Sequence, residues 1–130
     1  MKGKTVVVTG STQGIGLAIA RAAARAGVDA LLLTGRDEAK GQSAAAEVAR
    51  EGVRAAFIAA DLADPAAPDR VFDHAIERLG RVDALVNAAA LTDRGSLAEA
   101  DISLWERLYA VNARAPFLLP GFWAAKLDTQ

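Results

Sequence analysis

Short apolar runs alternate along this chain with longer stretches that read as helices. Residues 5–9, Thr-Val-Val-Val-Thr, form a β-branched run predicted to be a strand buried on both faces. Further strands are predicted over 30–34, 54–60 and 82–87. Helices are predicted over 15–26 and 38–51, with Gly27 and Gly52 placed to stop them. A third helix should end near Leu79, before Gly80; Asp64-Pro65 can cap and start it, or Pro68 can start it later. Ser103 and Glu106 have capping-box spacing, so a fourth helix is predicted from about Ser103, bent or ended by Pro116 and Pro120. No repeat, low-complexity tract or linker interrupts the series. Strands alternating with helices through short connections imply an α/β fold with right-handed crossovers, best satisfied by a doubly wound parallel sheet.

Composition narrows the picture. The 130 residues are 52% hydrophobic and 24% charged, consistent with one globular domain over 1–130. A formal net charge of −1 gives no electrostatic footprint for nucleic acid or an anionic membrane. The chain has no cysteine and one histidine, His74, so no metal site is expected, and a reducing cytoplasm fits. No apolar run is long enough to span a bilayer, and Met1-Lys2-Gly3-Lys4 leads straight into a strand, with no sign of a signal peptide.

The candidate chemistry begins at Thr9-Gly10-Ser11-Thr12-Gln13-Gly14-Ile15-Gly16, between the first strand and the first helix. Gly10 permits a sharp turn closed to bulkier residues. Gly14 lets the main chain approach a pyrophosphate, and Gly16 lets the helix pack closely on the sheet. N–H groups at the helix start, with the positive end of its dipole, would face the phosphates. Strand, turn and helix together favour phosphate binding over a purely structural turn. If the sheet follows the dinucleotide-binding plan, its strand order is 3-2-1-4 and it is Rossmann-like.

The turn has the spacing T-G-x-x-x-G-x-G, and with the segments that follow it resembles the short-chain dehydrogenase/reductase family. Asp61-Leu62, after the third strand, resembles the family's adenine-contacting pair. Asn87-Ala88-Ala89-Ala90, after the fourth, resembles its N-N-A-G motif, and Val111-Asn112 resembles the helix that carries a catalytic asparagine. The resemblance covers 4–119 and leaves 120–130 as an atypical tail, where Pro120-Gly121 interrupts what should remain helix. It implies dinucleotide binding by Gly10, Ser11, Thr12, Gln13, Gly14, Ile15, Gly16, Asp61, Leu62, Asn87, Ala88 and Ala89. It also implies a catalytic role for Asn112. Ala88 and Ala90 depart from the motif, and Ala90 adds a Cβ where a ribose would lie close.

An acidic residue after the second strand would select NAD through the ribose 2′-hydroxyl. This chain has Thr34-Gly35-Arg36 there, and a guanidinium can pair bidentately with a 2′-phosphate. Gln13 sits where some NADP-preferring members carry a basic residue. NADP is therefore favoured over NAD, although Asp37 could compete for Arg36. Blander roles exist for each residue. Arg36 could be a solvated loop charge, Asp61 a turn or cap residue, and Asn87 a tie at the strand end. His74 reads as surface or half-buried. Trp105, Phe117, Phe122 and Trp123 read as packing or interface residues, and Asp93, Arg94 and Glu99 as solvated loop charges.

The family resemblance also implies a proton donor, in a Y-x-x-x-K motif, and a serine that positions the substrate oxygen. Here Tyr109 is the only tyrosine, Ala113 stands four residues after it, and no serine follows Ser103. The expectation is a truncated dinucleotide-binding half, catalytically incomplete by itself. An active enzyme completed by another chain, and a non-catalytic interaction module, remain as alternatives. The apolar fourth strand would form an open sheet edge, so a homo-oligomer through that edge and the C-terminal helix is expected.

Overall fold

The computed structural model describes residues 1–127, with the side chains of all of these except Phe122, Lys126 and Leu127. The role expected of Phe122 and the end of the tail, 128–130, lie outside the described residues. Four parallel strands, β1 (Thr5–Thr9), β2 (Ala30–Gly35), β3 (Arg54–Ala59) and β4 (Ala84–Asn87), form a sheet in the order β3-β2-β1-β4. The register runs Thr5 opposite Ala30 on one side of β1 and Thr9 opposite Asn87 on the other. This is the doubly wound order that the sequence predicts.

Period-two alternation divides each apolar run between two cores. Val6, Val8, Leu31 and Leu33 face α1 (Gly14–Arg25) and α2 (Glu38–Ala49), where Ala20, Ala24, Ala44 and Val48 meet them. Val7 and Leu32 face the opposite layer. There Val71, Ala75 and Leu79 of α3 (Ala67–Leu79) pack beside Ala115 and Leu119 of α5 (Ala115–Leu127). Alanine on the helices keeps the layers close to the sheet.

Local signals explain most boundaries. Gly27, Gly52 and Gly80 follow α1, α2 and α3 with left-handed φ of 82°, 88° and 77°. Helix α3 starts at the later of its two predicted positions, with Pro68 in its first turn, and Asp64 instead closes a turn by accepting from Ala66 N–H at 2.9 Å.

The fourth helix starts within one residue of Ser103, as expected, but its cap and its C-terminal course differ from the expectation. Helix α4 (Ile102–Tyr109) is capped by Asp101, whose carboxylate accepts from Leu104 N–H at 2.8 Å; Ser103 already lies inside the helix. Neither proline ends the helical path. A π-helical turn, Ala110–Arg114, joins α4 to α5, which continues through Pro120. The Ala115 N–H reaches back five residues to the Ala110 carbonyl. That wider turn stands immediately before Pro116, which has no N–H to give the regular α-helical ladder.

At the N-terminal end of the sheet, Asp83 binds the start of β1. Its Oδ2 accepts from Thr5 N–H at 2.8 Å, and Arg81 donates to both carboxylate oxygens. Hydrogen bonds from Arg81 and then from the Thr5 backbone hold the Asp83 carboxyl well below the usual aspartate range. A folded pKa below the unfolded one gives stability that is present at neutral pH and lost as pH falls below about 4, toward the folded value. Asp83→Asn is therefore expected to lower Tm at pH 7, with the deficit shrinking as pH falls below about 4. Thermal melts of both proteins across pH 2–7 check this; a deficit independent of pH would refute the ion-pair account.

Candidate functional site

The C-terminal ends of the strands open onto a cleft of about 690 Å³. Its first wall is the glycine turn. Gly10 has φ +60°, and a Cβ there would collide with the Ala89 backbone at the end of β4. Gly16 is crowded by the turn itself: a Cβ would meet the Gly10 carbonyl. The close contact at Gly16 is therefore with the turn, a correction to the expected contact with the sheet. Gly14 has φ +57° and open space where a Cβ would stand. Helix α1 begins without a side-chain cap and without an acidic residue in its first turn. Gly14, Ile15 and Gly16 all line the cleft, as do Gly10, Thr12 and Gln13. A strong helix end beside open space suits an anion.

Ser11 is placed differently from the expectation. It is fully buried and lies outside the cleft lining. Its hydroxyl donates to the Val8 carbonyl at 2.7 Å and accepts from Thr34 N–H at 3.1 Å, while its own N–H donates to the Thr34 carbonyl at 3.0 Å. It welds the turn to β2, because a buried hydroxyl must find partners.

The cleft also carries charges. Arg36 and Lys40 line the cleft, and among the described residues neither side chain has an ion pair. Asp37 does not take Arg36. It caps α2, its carboxylate accepting from Lys40 N–H at 3.0 Å. Asp61 and Leu62 line the cleft beyond β3. Asp61 Oδ1 accepts from Ala63 N–H at 3.0 Å, and Arg107 of α4 donates to its Oδ2 at 3.3 Å. Arg114 donates to the Ala63 carbonyl at 2.7 Å. Arg107 and Lys40 were missed in the sequence because nothing in their local pattern marks them; only Arg36 follows a strand end directly.

The segment after β4 closes the site. Ala88, Ala89 and Ala90 line it, but Asn87 is exposed and outside the lining. The tie at this strand end comes from Thr9, whose hydroxyl oxygen accepts from Ala89 N–H at 3.2 Å. Asn112 also stands off the cleft lining. Its side-chain oxygen accepts from Leu91 N–H at 2.8 Å and its amide donates to the Leu91 carbonyl at 2.7 Å. The amide thus clamps one residue of the β4–α4 connection from the π-helical turn. Tyr109 is half-exposed and stacked on Trp105 with ring centroids 5.4 Å apart. No cluster of three metal-ligating residues exists among the described residues, and no described helix is long and apolar enough to cross a membrane.

The family model for short chain dehydrogenases matches residues 4–128, and the chain belongs to that family. The match passes through Pro120-Gly121, in step with the continuous α5. The short chain dehydrogenase/reductase dpmpG of Macrophomina phaseolina is 39% identical over 120 residues, 91% of this chain and 68% of that protein. An L-rhamnose 1-dehydrogenase (NAD(P)(+)) of Sphingomonas sp. is 32% identical over 92% of this chain and 47% of its own length. Among solved structures, a short chain dehydrogenase from Burkholderia cenocepacia in complex with NADP superposes with a TM-score of 0.89 at 34% identity, over 95% of this chain and 51% of that one. L-sorbose reductase from Gluconobacter frateurii, complexed with NADPH and L-sorbose, gives 0.86 at 32% identity, over 92% and 45%. The chain spans about two thirds of the first of these proteins and about half of the others.

The turn geometry makes a prediction. Gly16→Ala should lose about 1–3 kcal/mol of stability through overpacking. Gly14→Ala, with space but a left-handed backbone, should lose about 1 kcal/mol. Urea unfolding of the two variants checks this; a Gly16→Ala loss smaller than that of Gly14→Ala would mean that the turn gives way to the added Cβ and that space does not govern Gly16.

Proposed function

We propose that this chain is the NADP-binding part of a short-chain dehydrogenase/reductase-type oxidoreductase. The observation that carries the reading is the cleft itself. The uncapped start of α1 lines it together with Arg36 and Lys40, whose side chains have no ion pair among the described residues. Gly14, Ile15 and Gly16 offer N–H groups to a pyrophosphate. Arg36, with Lys40 beside it, takes the 2′-phosphate, and the engagement of Asp37 in the α2 cap leaves the guanidinium available. Asp61 and Leu62 hold the adenine, and Ala88 and Ala89 bound the ribose side. NADP and NADPH in the related solved structures support the same choice. When bound, the nicotinamide would supply or accept the hydride. The proton that accompanies it needs a donor, and residues 1–130 contain no tyrosine followed four positions later by lysine. In this reading the 130 residues bind the dinucleotide without turning it over by themselves. Asn112 acts by fixing Leu91 and with it the cleft wall after β4.

The reading includes self-association. Among the described residues strand β4 pairs only with β1, and its other edge has no partner strand. Helix α4 buries none of its residues, and Ile102, Trp105, Tyr109 and, on α5, Phe117 are exposed. An exposed apolar helix face and an open sheet edge each favour a second copy of the chain over solvent.

Calorimetric titration with NADPH and NADH tests the cofactor reading. Wild type should bind NADPH more tightly. Arg36→Ala should weaken NADPH about tenfold or more and leave NADH nearly unchanged. Binding of neither dinucleotide would overturn it. Sedimentation at micromolar concentration tests the assembly: the wild type should associate, and Trp105→Glu should shift it toward monomer. A monodisperse wild-type monomer would remove the oligomer from the reading.

A further inference from the structure

Arg107 pairs with Asp61 within the cleft lining. Both side chains line the cleft and are 38% and 43% exposed. An ion pair so accessible to water adds little to folding stability. Its geometry is nonetheless specific. Arg107 Nη2 donates to one carboxylate oxygen at 3.3 Å, and Ala63 N–H donates to the other at 3.0 Å. Each oxygen keeps a second acceptor position. Seven residues further along, across the π-helical turn, Arg114 holds the Ala63 carbonyl at 2.7 Å. Two arginines of one helical segment therefore fix both the carboxylate of Asp61 and the backbone that orients it.

Charge gives the pair a purpose. The cleft is lined by the cations Arg36, Lys40 and Arg107 and by the anions Asp37 and Asp61. A dinucleotide brings several negative charges, and an uncompensated Asp61 would repel them across a partly desolvated space. Arg107 cancels that charge without occupying all of the oxygens. A carboxylate so held accepts hydrogen bonds and donates none, which suits an amino group and rejects a carbonyl.

We infer that Arg107 is a positioning residue that sets the base preference of the cleft, holding the Asp61 carboxylate toward the exocyclic amino group of adenine. The inference rests on the dinucleotide reading above and deepens it.

The test titrates wild type, Arg107→Met and Arg107→Lys with NADPH and with its hypoxanthine counterpart, in which a carbonyl oxygen replaces the amino group. Wild type should prefer NADPH. Arg107→Met should lose most of that preference, about fivefold or more, chiefly by weakening NADPH, and Arg107→Lys should recover part of it. Wild type that binds both dinucleotides equally would overturn the inference and leave the cofactor reading standing. So would Arg107→Met that weakens both equally or neither, since a general charge or folding effect does not sense the base. Should Arg107→Met fail to fold, Arg107→Lys carries the test: a preference reduced relative to wild type supports the role, and an unchanged one overturns it. Wild type that binds neither dinucleotide would overturn the cofactor reading itself and the inference with it.

Discussion

A single buried hydroxyl joins the two strands on which the cleft is built. Ser11 donates to the Val8 carbonyl and accepts from Thr34 N–H, and its backbone pairs with the Thr34 carbonyl. The glycine turn is thereby held on the end of β2 as well as on β1. That constraint sets where α1 begins, and it sets the distance between the helix start and Arg36, two residues past Thr34. The tight fit of Gly16 against the Gly10 carbonyl then leaves the helix one way to leave the turn. Satisfying one buried polar group and excluding two Cβ atoms position the elements that face an anion.

The α4–α5 segment performs a second stitching. Its π-helical turn carries Asn112, which clamps Leu91 after β4, and Arg114, which holds Ala63 after β3. Arg107, one helical stretch earlier, reaches Asp61. The two strand ends that border the cleft are thus tied to one piece of helix. Pro116 supports this arrangement, because a missing N–H costs least where the ladder has already widened.

Much of the fold was legible because strong local signals agreed with the global plan. The apolar runs at β1 and β2, the stop glycines after three helices and the strand–turn–helix glycine spacing each point to the same doubly wound sheet. Most of the cleft wall was legible for the same reason: residues at the ends of parallel strands must border the crevice there. Thr12, Gln13, Arg36, Asp61 and Ala89 all do so.

What sequence order alone could not settle was where side chains beside those backbone positions would turn. Ser11 and Asn87 sit in motif positions like their neighbours. Burial turned Ser11 inward to partners on both β1 and β2, and Asn87, at the sheet edge, turned to solvent. Asp101 and Ser103 are both good caps, and the chain's path into α4 chose between them. Lys40, Arg107 and Arg114 carry no local mark, and long flexible side chains reach a site only when packing brings their helices beside it. The sequence by itself determined the order of elements and the glycine turn, because backbone sterics and hydrophobic period act over a few residues. The tertiary structure decided which charges share the cleft, because Coulomb and hydrogen-bond contacts depend on distances that only the packed layers set.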